Sequence, residues 1–178
     1  MRIISGLAKG KKIISIEGND TRPTLDRVRE AVFGGIQFEI NDANVLDLFG
    51  GTGALSLEAV SRGAKKVVCC DNNQECCNII KTNATQLGFL EKIEILNYDY
   101  NRCLDYCLEK DYKFDFVFLD PPYKFDKKEE LLSKLFCLDI LNKKAKIIFE
   151  HKTGYAMPFA QRIIKQKKYG QTTVSTYQ

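Results

Sequence analysis

The sequence predicts an α/β protein: a mainly parallel seven-stranded sheet with an antiparallel last strand, preceded by a β-hairpin and a helix. Three observations carry that expectation. From residue 44 onward, short apolar runs alternate with amphipathic stretches, the order that builds a parallel sheet with helices on both faces. The last two apolar runs flank a short glycine-containing turn with no helix between them, which makes the closing pair antiparallel. The 178 residues, 44% hydrophobic and 28% charged, have ordinary globular composition and amount to one domain over 1–178 that needs no disulfide or metal to fold.

In chain order, Ile3-Ile4-Ser5 and Ile13-Ile14-Ser15-Ile16 flank a Gly- and Lys-rich segment, which reads as a hairpin extension over 1–20 with a basic tip. A leading helix is expected over 24–40, with Thr24 as N-cap. Leu25, Val28, Val32 and Ile36 share one face, and Gly34-Gly35 weakens its end. The core follows over 44–178. Its strands are expected at 45–49, 66–70, 92–96, 114–119 and 146–150, and its helices at 54–62, 74–87, 101–108 and 127–137. A closing hairpin pairs 162–167 with 172–177.

Composition excludes several classes. No apolar run approaches the roughly 20 residues of a membrane span, and the first residues lack a secretory h-region, so a cytoplasmic location is expected. Seven cysteines without a Cys-x-x-Cys, and a single histidine, His151, fit buried thiols in a reducing compartment better than a metal centre. Net charge is +4, unevenly spread. Residues 1–12 carry Arg2, Lys9, Lys11 and Lys12 without an acid, and residues 151–178 carry five basic residues without one, leaving the middle at −5. Basic ends on an acidic centre suit a polyanion partner.

Four motifs carry chemistry. Asp47-Leu48-Phe49-Gly50-Gly51-Thr52-Gly53 is a strand end, a glycine turn and a helix start. Gly51 and Gly53 let backbone amides approach a ligand closely, and Asp47 could take a hydrogen bond from an ammonium or a water. Nicotinamide and flavin enzymes use a cousin of this pattern, though Ser56 stands where that fingerprint wants glycine or alanine. Asp71-Asn72 ends the next strand, about 20 residues on, where a carboxylate clamps ribose hydroxyls; a helix N-terminal acid held by the dipole is the alternative. In Tyr98-Asp99, Asp99 could accept from an adenine amine or be an ordinary loop acid. Asp120-Pro121-Pro122-Tyr123 ends the fourth core strand. The Asp120 carboxylate and Pro121 carbonyl form a pair of acceptors suited to an exocyclic –NH₂, and Tyr123 offers a ring on which a base stacks.

These four features in this order resemble the class I S-adenosylmethionine-dependent methyltransferases, and Asp-Pro-Pro-Tyr resembles the branch that methylates exocyclic or amide nitrogens. Arg2-Ile3-Ile4-Ser5-Gly6, then Arg22-Pro23-Thr24-Leu25-Asp26-Arg27-Val28-Arg29-Glu30, then Ser61-Arg62-Gly63-Ala64 and Tyr169-Gly170-Gln171-Thr172, are similar to the bacterial small-subunit rRNA guanine-N2 methyltransferase D family. The resemblance covers nearly the whole chain. It implies a Rossmann-like fold, S-adenosylmethionine as cofactor, and methylation of a guanine N2 in 16S rRNA on the small ribosomal subunit, by a monomer with no metal and no membrane. Catalytic roles fall to Asp120, Pro121, Pro122 and Tyr123. Cofactor contacts fall to Asp47, Phe49, Gly51, Gly53, Asp71, Asn72, Tyr98 and Asp99. RNA contacts fall to Arg2, Lys9, Lys11, Lys12, Arg22 and Thr24, the last two also readable as surface charge and helix cap. Asp71 stands where the family more often has glutamate. An adenine-N6 methyltransferase, a protein glutamine methyltransferase, a non-catalytic rRNA-binding assembly factor and an oxidoreductase are the rival readings.

Overall fold

The computed structural model describes residues 1–15, 23–122 and 124–178, with only the backbone at 23–25. Seven strands form one sheet: β1 (Asn44–Asp47), β2 (Lys66–Cys70), β3 (Ile93–Leu96), β4 (Phe114–Leu119), β5 (Leu141–Lys152), β6 (Ile163–Tyr169) and β7 (Thr172–Tyr177). Their order is β3-β2-β1-β4-β5-β7-β6. β1 to β5 are mutually parallel, and β7 runs antiparallel to both β5 and β6, so β7 is the one reversed strand among those described. The near-continuous apolar runs of β1, β2 and β4 follow from burial on both faces.

Alternation along each strand divides the apolar side chains between two cores. On one face Val45, Phe116, Phe118, Ile148 and Val174 meet α1 (Pro23–Gly35), α2 (Ala54–Ser61) and α3 (Gln74–Leu87). On the other, Leu46, Val117, Leu119, Phe149 and Tyr177 meet α4 (Tyr100–Glu109) and α5 (Lys128–Cys137). Helix α3 starts at Asn73, whose side chain accepts from Glu75 N, and stops at Gly88 in the left-handed region, as capping chemistry dictates.

Three expectations need correction. The N-terminal hairpin, whose expected residues 16–20 lie outside the described ones, is shorter than expected: its arms meet at one antiparallel bridge, Arg2↔Lys12, where Ile3 N donates to Lys11 O and Ile13 N to Met1 O. Past that bridge, side chains of α2 take further amides of the first arm. Ile4 N and Ser5 N donate to Glu58 Oε2 and Oε1 at 2.8 and 3.0 Å, and Ala8 N donates to Ser61 Oγ at 3.0 Å. The leading helix runs Pro23–Gly35 rather than 24–40, so Thr24 lies inside it rather than at its N-cap, and Gly34-Gly35 gives way to turns in which Ile36 O accepts from Glu39 N and Ile40 N. β5 spans twelve residues rather than five. Its first half, polar and partly exposed, lacks the apolar signal yet pairs Leu141 with Phe114 across an irregular register. Asn142 Nδ2 donates to Asp115 Oδ1 there, at 2.7 Å.

β1, β2 and β3 step away from the sheet centre in one direction, β4 and β5 in the other. The crevice beyond the carboxyl ends of β1 and β4 is therefore the place where such sheets bind ligands.

Candidate active site

After β1 the chain turns through the glycines before α2. Gly50 N donates to Cys70 O at 2.8 Å and Gly53 N to Gly50 O at 2.7 Å. A Cβ at Gly50 would lie 2.6 Å from Cys69 Sγ, so a larger residue would force the Cys69 thiol aside. Gly51, at φ 54°, takes the left-handed conformation glycine tolerates best, and its amide donates to Asp71 Oδ2 at 2.8 Å. Asp71 Oδ1 accepts from Asn73 N at 2.9 Å. With one backbone donor on each oxygen, Asp71 is fixed in place and each oxygen keeps a lone pair for a ligand hydroxyl.

One cavity of about 1300 Å³ occupies the crevice. That exceeds the roughly 300–1000 Å³ of a pocket for one small ligand and leaves room for two. On the β1–β3 side its wall is Phe49, Gly51, Asp71, Asn72, Tyr98 and Asp99, six of the eight residues expected to hold the cofactor. Asp99 Oδ1 accepts from Asn101 N and Arg102 N and so caps α4, which leaves Oδ2 for a ligand donor. The other two lie beneath the wall. Gly53 is the N-cap residue of α2, packed under Ile80. Asp47 is fully buried and accepts from Ser56 Oγ at 2.7 Å, while its Oδ1 has no partner among the described residues. Burial first, with Asp71 adding to it, raises Asp47 to about 6 against the Ser56 bond.

On the β4–β5 side the wall includes Asp120, Pro121 and Pro122. Phe125 N donates to Pro122 O at 2.8 Å, whereas Pro121 O accepts no backbone amide among the described residues. The Asp120 carboxyl faces the cavity, and burial, then the nearby Asp47, push it up to about 7. Because cavity water reaches it, the full displacement belongs to a site closed by ligands. Tyr123 and Arg22 lie outside the described residues, as does the Thr24 side chain.

Sequence reasoning missed several wall residues. Tyr100 and Phe125 flank Phe49, with ring centroids 6.2 and 5.4 Å away. Glu150, Gln171 and Thr172 complete the β5–β7 side, and Val28 and Arg29 of α1 form part of the rim. Glu150 lies inside β5, one residue past the last β4–β5 pair, Leu119 with Phe149. Burial, then Asp120, push Glu150 up to about 8.

The basic residues of the hairpin are exposed: Arg2, Lys9, Lys11 and Lys12. Arg2 and Lys12 line a separate hollow of about 400 Å³ with Ile13 and Asp26, and Met1 belongs to both hollows. The hairpin base thus adjoins the mouth of the main cavity.

Two neighbouring groups are unsuited to covalent or base chemistry. Cys76 lines the cavity, but burial pushes its thiol up to about 11, so it is a neutral thiol near pH 7. His151 is buried on the opposite face of β5. Its Nδ1–H donates to Lys152 O and its Nε2 accepts from Ser175 Oγ.

The glycine turn, the anchored carboxylate after β2 and the paired acceptors after β4, on a sheet with an antiparallel seventh strand, define a class I S-adenosylmethionine-dependent methyltransferase. The residues fit that cofactor: a backbone cradle without side chains, a carboxylate for ribose and an aromatic cluster beside them. The chain belongs to the family of the ribosomal RNA small subunit methyltransferase D proteins, whose model, described as Conserved hypothetical protein 95, matches residues 1–178. It is 33% identical over 183 residues to Ribosomal RNA small subunit methyltransferase D of Haemophilus influenzae, covering 100% of this chain and 93% of that one. It is 32% identical over 180 residues to YlbH of Bacillus subtilis, described as a candidate rRNA methyltransferase, covering 99% and 98%. The solved structure of yhhF from Escherichia coli, a candidate methyltransferase by its description, matches at TM-score 0.85 and 30% identity, over 100% of this chain and 97% of that one.

Proposed function

We propose that this chain methylates the exocyclic N2 amine of a guanine in small-subunit ribosomal RNA, by direct transfer without a covalent enzyme intermediate. The observation that carries the reading is the Asp120-Pro121-Pro122 corner on the wall of the cavity that also holds the glycine turn and Asp71. The cofactor site and an amine-accepting pair are thereby open to one space.

When bound, S-adenosylmethionine supplies an electrophilic sulfonium methyl. The chain's own residues do the rest. Asp71 and the glycine-turn amides hold the ribose and amino-acid ends, and Asp99 and the Phe49 cluster hold the adenine. Asp120 and the Pro121 carbonyl accept the two amine hydrogens. That would fix the amine and turn its lone pair out of conjugation, toward the side of the cavity where the cofactor would be held. After transfer the extra proton on nitrogen passes to Asp120, whose raised pKa makes it a competent acceptor. Tyr123 would stack on the base, with Pro122 holding the corner in shape.

Arg2, Lys9, Lys11 and Lys12 on the hairpin, with Arg22 and Thr24 before and within α1, would bind RNA. The exposed Lys165, Lys167 and Lys168 of β6 extend the basic surface. Such phosphate contacts position an enzyme without reading sequence, so the target base must leave its stack to reach Asp120. The partner is the small ribosomal subunit, in the cytoplasm. Both walls of the cavity come from residues of one domain in one chain, so a monomer suffices.

The test is nucleoside mass spectrometry after incubating the protein with methyl-labelled cofactor and unmodified small subunits. Label in N2-methylguanosine is expected. Label in N6-methyladenosine would overturn the base assignment and keep the chemistry, and absence of label with normal cofactor binding would leave a non-catalytic assembly factor.

A further inference from the structure

We infer that Glu150 selects the acceptor base by taking the ring N1–H of guanine while Asp120 takes the neighbouring N2 amine. The inference rests on the guanine-N2 reading above and adds a specificity residue to it.

The placement comes from the sheet. β4 and β5 are parallel and in register, with Phe118 opposite Ile148 and Leu119 opposite Phe149. Asp120 and Glu150 are the next residues on each. Phe118 and Ile148 belong to the same core, so alternation sends Asp120 and Glu150 to that same face. Both line the cavity. Adjacent strands lie roughly 4.8 Å apart, a separation that suits two acceptors meeting two neighbouring donors of one ring. Around them the wall is apolar, with Val28, Val32, Ile148 and Val174. Neither carboxylate forms a hydrogen bond or ion pair among the described residues.

The chemistry singles out one base. In guanine the exocyclic amine sits beside a ring N–H, so donor follows donor. In adenine and cytosine the ring nitrogen beside the amine is a lone-pair acceptor. A carboxylate next to Asp120 would attract the first arrangement and repel the second. Burial comes first in raising both acids; Asp120 then repels charge on Glu150, as Asp47 does on Asp120. A donor–donor edge is the ligand that relieves that repulsion. Once a base fills the cavity, acceptors that a wrong base leaves unpaired give larger discrimination than lost apolar contact does.

The experiment uses 2-aminopurine, which keeps the 2-amine but presents a bare lone pair at N1. Small subunits are reconstituted with either guanine or 2-aminopurine at the position that mass spectrometry identifies as modified. Wild type and Glu150→Gln are compared on both. Wild type should prefer guanine by about tenfold or more in kcat/KM. Glu150→Gln, whose amide can accept from N1–H or donate to a bare N1, should shrink that preference to within about twofold, with cofactor affinity by calorimetry unchanged within about threefold. A wild type that methylates both bases equally overturns the inference without recourse to any variant. So does a Glu150→Gln protein that keeps the full preference. N6-methyladenosine from wild type would instead remove the guanine reading itself, an outcome distinct from either.

Discussion

The two walls of the cavity treat their acids in opposite ways. On the β1–β3 wall Asp71 has a backbone amide on each oxygen and Asp99 has two on one oxygen. On the β4–β5 wall Asp120 and Glu150 have no such partners among the described residues, and each is pushed up by burial and then by a neighbouring carboxylate. The anchored wall is ready before any ligand arrives, because its acids are held in place by backbone amides and need supply only spare lone pairs. On the proposed reading the unpartnered wall would be completed by the substrate's own donors. Reagent holding and acceptor reading would then be separated in one crevice, with Asp47 buried.

The largest effect expected is at the unpartnered wall. Asp120→Ala removes a preorganised acceptor and should lower kcat by about 10²–10³, with cofactor affinity within about threefold by calorimetry. Normal transfer by that variant would erase the contrast between the walls. Asp71→Ala should do the reverse. It frees Gly51 N and Asn73 N and removes the ligand contact, so cofactor binding should weaken by about tenfold to a hundredfold. kcat at saturating cofactor should stay within about threefold, and a matching fall in kcat would show that the walls are not separable.

Acidity sharpens the comparison further. An acid whose pKa is raised in the folded state accepts substrate hydrogens only above that pKa. Single-turnover transfer should therefore fall as pH drops below about 7, with the cofactor-binding constant flat over the same range. Stability runs the other way. Between the ordinary carboxylate range and about 8 a half-buried Glu150 holds a proton that the unfolded chain releases, so Glu150 costs progressively more stability as pH rises through that window. Glu150→Gln should raise Tm by a few degrees at pH 8 and leave it nearly unchanged at pH 4; an equal gain at both would mean packing rather than charge. The smallest effect belongs to the rim. Lys9→Ala and Lys11→Ala should each weaken RNA binding severalfold at most and reduce the salt slope by about one, without touching cofactor affinity.

The sequence made the anchored wall readable, because its parts are local. A glycine turn must follow β1 closely, and an acid ending β2 falls a fixed helix-length later. Helix 74–87 was legible residue for residue, since Asn73 and Gly88 mark its ends. Asp120 was legible because two prolines fix the corner after it. Glu150 was not, since its importance comes from standing beside Asp120, and the β4–β5 register is set across some thirty residues of intervening chain. The shortness of the hairpin was hidden for a related reason. Its alternating residues do face a core, but the amides of Ile4, Ser5 and Ala8 find acceptors more than fifty positions away. No local pattern records that.

Those acceptors give the first dozen residues a dependent existence. A two-stranded hairpin alone is marginal in water, and this one has a single bridge. It stays in place because Glu58, fully buried and also paired with Arg62 at 2.6 Å, holds two of its amides. In time rather than space, the arm can settle only after the helix that begins at the glycine turn exists, and it should be the earliest part to lift away. Its amide protons should therefore exchange through a local opening shared by residues 4, 5 and 8, faster than those of β1 or β4. Glu58→Gln should speed that opening in all three together.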